Sequence, residues 1–250
     1  MEWVLNDILI LLACGIIAGF INTVAGGGSL LTLPILIFMG LPSNIANGTN
    51  RVAIFMQNIF SVSGFKSRGV SDFKYSSYLS ISALIGSIIG AKIAIDINED
   101  LFNKILSIVI IMVVSTIIFK KKSINDGSEN LSMKNKITST ILFFFIGIYG
   151  GFIHAGVGFL ILSVLSNVNN IKLSKGNSIK VFVVLVYTFF ALIVFILEDK
   201  VNWILGINLG IGNSIGGWIA SRWSYNKSDT IIRAFIGLAS FIMAVKLWFF

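Results

Sequence analysis

The chain has 250 residues, 12% of them charged and 56% apolar, with 19 Lys or Arg against 11 Asp or Glu and a net charge of +8. A soluble domain carries about 25% charged residues, and a water-soluble globule of this size could not hide so much apolar surface. Composition thus excludes a soluble enzyme, and because the basic residues lie between apolar blocks it predicts no nucleic-acid partner. The expected class is an all-α integral membrane protein surrounded by membrane lipid.

Cys14 and His154 are the only cysteine and histidine. A disulfide framework, a thiolate centre and a His-rich metal site are therefore excluded, and no metal or other cofactor is expected. No GxxxxGK[ST] pattern is present, which argues against a nucleotide-driven pump. The opening MEWVLND carries acids where a signal peptide needs Lys or Arg, so it is expected to be retained.

In chain order, Ile8 to Asn50 contains no charge over 43 residues. As one helix this run would be about 64 Å long, twice the roughly 30 Å hydrocarbon core, so it must fold back. Ala25-Gly26-Gly27-Gly28 is the break, giving a first segment over about 4–22 and a short one over about 29–40, which Gly40-Leu41-Pro42 closes. Further segments are predicted over about 47–65, 75–95 and 101–119, followed by a hydrophilic linker at 120–136. A second charge-free run, Ile137 to Asn170, breaks at Gly156 and Gly158, and segments over about 176–197, 201–221 and 230–250 complete the chain. Trp3, Trp203, Trp223 and Trp248 lie at segment ends, where interfacial aromatics belong.

The two stretches 1–119 and 137–250 read as one repeat. Gly15 and Gly19 match Gly147 and Gly151, Gly48-Thr49-Asn50 matches Gly176-Asn177-Ser178, and Gly86 to Gly90 matches Gly212 to Gly216. Small residues at every fourth position allow close helix contact in lipid. With the N-terminus outside, 14 of the 19 basic residues, including Lys180 and the linker lysines, fall inside; Arg51, Lys92, Lys104, Lys200 and Lys246 remain outside. This positive-inside bias places the linker in the cytoplasm. Equivalent loops then face opposite sides, which predicts an inverted repeat of two five-segment halves, with about 8–10 spans including half-helices after the glycine turns.

All 11 acids lie in loops or at segment ends, so an intramembrane carboxylate relay is absent. The interior instead offers neutral donors and glycine backbone. A helix start presents free N–H groups and partial positive charge, a ready anion site. The candidate substrate-binding set is Asn22, Thr23, Gly26, Gly27, Gly28, Ser29, Thr49, Asn50, His154, Gly156, Gly158, Asn177 and Ser178. Two such helix starts facing each other would form a central pocket for an oxyanion.

AGFINTVAGGGSLLTLPILIFMGLPSNIANGTNRVAIFMQNI (18–59), with GIYGGFIHAGVGFLILSVL and LSKGNSIKVF further on, resembles the sulfite exporter TauE/SafE family of membrane permeases over nearly the whole chain. The resemblance implies a multi-pass transporter of the prokaryotic cytoplasmic membrane for small sulfur-containing anions such as sulfite or sulfonates. No Ser–His–Asp set or pair of acids can be assembled in the apolar segments, so the chain is not expected to be an enzyme.

Each singled-out residue also has a plainer reading. The glycines could form a tight turn, and Thr49 and Asn50 could cap a helix. His154 could couple protons or be a structural histidine. Arg51 could draw anions from outside or snorkel to the interface, with Lys180 in the same position on the inner side. Gln57 and Asn58 could bridge helices. An anion channel or a non-transporting membrane scaffold would use the same small-residue faces; coupling to protons or sodium, and the oligomeric state, stay open.

Overall fold

The computed structural model describes residues 5–119 and 128–223. The first linker residues and the segment expected over 230–250 lie outside them. Nine helices occur among the described residues: α1 Leu5–Val24, α2 Ser29–Phe38, α3 Ser43–Ser67, α4 Phe73–Asp96, α5 Glu99–Phe119, α6 Met133–Phe152, α7 Val157–Asn167, α8 Leu173–Leu197 and α9 Trp203–Trp223. The protein is all-α and membrane-embedded. Asn6–Val24, Phe73–Asp96 and Leu173–Leu197 are long and apolar enough to cross a membrane by length and composition, while α2 and α7 are short apolar helices.

The glycine motifs position the helices. A Cβ at Gly15 would stand 2.7 Å from the Leu209 carbonyl, and one at Gly19 would overlap the Asn213 backbone; reciprocally, side chains at Gly212 and Gly216 would strike Leu12 and Ile16. The GxxxG of α1 thus interlocks with that of α9. In the same way Gly147 and Gly151 of α6 lie against Ala83 and Ser87 of α4, while Gly86 and Gly90 of α4 lie against Phe144 and Ile148. Each first helix therefore packs on the fourth helix of the other stretch. The cost of glycine in a helix is offset by this close backbone approach.

The outward faces are the complement. Ile81, Ile85, Ile89 and Ile93 of α4 are exposed, as are Ile207, Ile211, Ile215 and Ile219 of α9. Both stripes keep the spacing of four that holds one helix face, and the stripes match at the same sequence offset as the glycines. Exposed isoleucine opposite buried glycine is how a helix between lipid and a packed partner is written.

The short helices occupy the interior. All of α2 except Ile35 and Phe38 is buried, with Leu30, Leu33, Leu36 and Ile37 joining Phe102, Leu106, Val109 and Ile110 of α5 in one cluster. Val157, Ile161 and Leu165 of α7 join Phe143, Ile146, Ile179 and Val183 in another. Gly40, at φ 87°, ends α2: its amide donates to the Ile37 carbonyl and that of Leu41 to Leu36. This left-handed stop satisfies carbonyls that the helix leaves open.

Two expectations change. α3 begins at Ser43, directly after Pro42, and α8 at Leu173, so Gly48-Thr49-Asn50 and Gly176-Asn177-Ser178 lie inside helices rather than at their starts. The capping reading of Thr49 and Asn50 is therefore replaced. The reason lies in another part of the chain: Glu99 Oε1 accepts from the Ser43 amide at 2.9 Å and stabilises an earlier start.

Candidate functional site

Every one of the thirteen candidate residues is buried. The two glycine breaks meet. Gly26, at φ 86°, lies so close to Gly158 that a Cβ on either would overlap the other's backbone. Gly156, at φ 71°, caps the start of α7, and the Ser29 hydroxyl at the start of α2 donates to the His154 carbonyl at 2.6 Å. The helix starts are thus brought face to face, in contact at Gly26 and Gly158. In each opening turn the first backbone bonds run from Leu30 to Gly27 and from Phe159 to Gly156. The amides ahead of them are donors without an intrahelical acceptor.

The opposite polarity of each break is filled by a side-chain cation. α1 ends at Val24; Lys180 of α8 donates to the Asn22 and Thr23 carbonyls at 2.9 and 2.8 Å and to Asn177 Oδ1 at 2.7 Å. α6 ends at Phe152; Arg51 of α3 donates to the Gly150 carbonyl at 3.0 Å, to that of Gly151, and to Asn47 Oδ1 at 3.3 Å. Asn47 Nδ2 takes the Phe152 carbonyl at 2.7 Å, and Ile153 N takes that of Tyr149. The last four carbonyls of α6 are all partnered. Arg51 also lies 4.9 Å over the Phe195 ring.

These contacts correct the interface reading of both cations. Arg51 is 0% and Lys180 2% exposed, so neither snorkels and neither belongs to a loop on the outer or inner side. The carbonyl end of a helix carries about half a negative elementary charge, which is what holds a cation there. Among the described residues no Asp or Glu is buried.

Around this frame, Asn22 Nδ2 donates to Gln57 Oε1 at 3.1 Å, and Gln57 Nε2 to Thr23 Oγ1 at 3.3 Å. The Thr23 and Ser61 hydroxyls lie 2.9 Å apart. Gln57 does bridge helices, whereas Asn58 folds back on the Ile54 carbonyl. Asn50 Oδ1 accepts from Thr32 of α2 at 2.7 Å, but its buried Nδ2 has no partner, nor has Arg51 Nε. His154 Nδ1 lies 2.8 Å from the Tyr187 hydroxyl.

Thr49 and Ser178 are not brought to the breaks. Thr49 Oγ1 accepts from the Asn202 amide ahead of α9 at 2.8 Å, and the Ser178 hydroxyl donates to the Val70 carbonyl ahead of α4 at 2.6 Å. Removing either hydroxyl, as Thr49→Val or Ser178→Ala, is expected to cost about 1 kcal/mol of stability and leave solute affinity unchanged, measured by denaturant unfolding beside a binding titration. Arg51, Lys180, Asn47, Ser61 and Tyr187 lay outside the candidate set. A lone basic residue inside an apolar segment is the signal that marks the first two.

The chain belongs to the sulfite exporter TauE/SafE family, whose model matches residues 11–247. It is 24% identical to a probable membrane transporter protein of Haemophilus influenzae, over 96% of this chain and 94% of that one. It is 26% identical to the probable membrane transporter protein YfcA of Escherichia coli K12, over 95% and 88% of the two chains. Against the probable membrane transporter protein YjnA of Bacillus subtilis it is 29% identical, covering 90% and 92%. No solved structure matches.

Proposed function

We infer that this member of the TauE/SafE family is a secondary carrier of a small sulfur-containing oxyanion, sulfite or a sulfonate, working by alternating access around the two meeting helix breaks. One observation carries the sign of the solute. Arg51 is fully buried in the bundle, and among the described residues no acid is buried with it. A region with fixed positive charge and unspent amide donors favours an anion and repels a cation.

This reading gives each group a role. Amides at the starts of α2 and α7, from Gly27, Gly28, Ser29 and Gly158, face an oxyanion as donors. Asn50 offers the Nδ2 protons that no protein group takes, since a buried amide normally finds an acceptor. The Gly26–Gly158 contact closes the centre, and its parting admits the solute. The stretches 1–119 and 137–250 act as the two moving halves, inverted with respect to each other, joined by the 120–136 linker. Small-residue contacts between α1 and α9 and between α4 and α6 are the surfaces along which such halves slide.

Asn50→Ala tests this reading. It removes a donor without filling space, and is expected to reduce counterflow of labelled sulfite or sulfonate in proteoliposomes about tenfold, with membrane insertion intact. Gly27→Leu, whose side chain would meet the Phe159 ring 2.7 Å from its Cβ, is expected to act likewise. Unchanged transport in both variants would place the site elsewhere. Saturable counterflow separates a carrier from a channel. For orientation, a membrane-impermeant amine reagent is expected to reach Lys121 only in opened cells; labelling in intact cells contradicts a cytoplasmic linker.

A further inference from the structure

Unwound carbonyls at the ends of broken membrane helices are where many carriers hold a coupling sodium ion. Both such ends are present here, and both are occupied by the protein itself. The Lys180 ammonium donates to three neutral oxygens, at 2.7, 2.8 and 2.9 Å. Arg51 places both terminal nitrogens on the end of α6. None of these acceptors is a carboxylate: they are backbone carbonyls and asparagine amides, the neutral oxygens that suit a desolvated monovalent cation.

We propose that Arg51 and Lys180 are tethered occupants of the two carbonyl cages in which a broken-helix carrier would otherwise bind sodium, so that solute movement through this protein needs no sodium at either break. This rests on the carrier reading for its consequence, but the occupancy itself is a property of the fold. A side chain attached to the same bundle is present at an effective concentration that a free ion must overcome, and covalent attachment keeps it there. Each cation also comes from the other stretch of the chain: α8 supplies the end of α1, and α3 the end of α6. The cages therefore join the two stretches in place of an ion.

The experiment empties one cage. Purified Lys180→Ala is expected to melt about 5 °C below the native protein. Sodium or n-propylammonium should restore at least half of that loss, since each can supply a cation to the three oxygens. Tetramethylammonium, which has the charge but no N–H and is too bulky for the cage, should restore none. The native protein should melt at the same temperature in sodium and in choline chloride. Stabilisation of the native protein by sodium overturns the proposal, as does a variant indifferent to every cation or equally helped by tetramethylammonium. If Lys180→Ala does not fold, the native comparison decides, with Lys180→Arg, which keeps the donors, expected to fold and ignore sodium. These melts need no transported solute, so their outcome is separate from whether counterflow is found. Where it is found, exchanging sodium for choline should change its rate by less than about twofold, and a severalfold dependence overturns the proposal.

Discussion

Gly26→Ala is expected to be among the most damaging single-methyl additions in the protein, lowering stability by at least about 3 kcal/mol. Two separate terms produce this. At φ 86° an alanine sits in the left-handed region, which costs about 1–2 kcal/mol for a residue with a Cβ. The new methyl also overlaps the Gly158 backbone, and a backbone cannot rotate away as a side chain can. The terms can be measured apart. Gly69 has φ 69° and nothing within 4 Å of a built Cβ, so Gly69→Ala carries only the conformational term. Gly158 has no such backbone constraint, so Gly158→Ala carries only the overlap. Denaturant unfolding should rank Gly26→Ala above both, near their sum. A Gly158→Ala change as mild as Gly69→Ala would mean that the two breaks do not touch.

Arg51→Met is the second large effect. It leaves the Gly150 and Gly151 carbonyls without donors in a place water does not reach, at about 1–3 kcal/mol each. Part of that is offset because the desolvation cost of the buried charge disappears, so a net loss of about 2–4 kcal/mol is expected. Anion affinity should fall at least about tenfold as the charge is removed. Arg51→Lys separates charge from geometry. Lysine keeps the charge but lacks the planar fork that spans two carbonyls, so stability should fall while anion affinity stays within about threefold. If both variants lose affinity equally, the guanidinium's shape matters and its charge does not.

Much of the fold is legible in the residues because the cues are local. Charge-free runs mark the segments, the Gly26 and Gly156 turns mark the breaks, and the GxxxG pairs mark helix contacts. What they cannot say is which pairs meet: α1 meets α9 and α6 meets α4 through carbonyls that any sequence possesses. Helix starts are less legible. The beginning of α3 is shifted to Ser43 by Glu99, 56 residues away, so Gly48-Thr49-Asn50 reads as a start when it is a second turn. Arg51 and Lys180 are mislocated by the same habit of counting basic residues as loop markers. Their neighbours Val52 to Phe65 and Val181 to Leu197 are uncharged, which is the pattern of an intramembrane cation. Taking both out of the count leaves the bias of the loops, and so the proposed orientation, unaltered.

Thermal stability of the purified protein, titrated with sulfite, alkyl sulfonates, thiosulfate and simple carboxylates, tests the anion site most directly. Saturable stabilisation by at least one sulfur oxyanion, diminished in Asn50→Ala and absent with chloride, is the predicted result. Stabilisation by none of these anions, or by a cationic solute in their place, contradicts it.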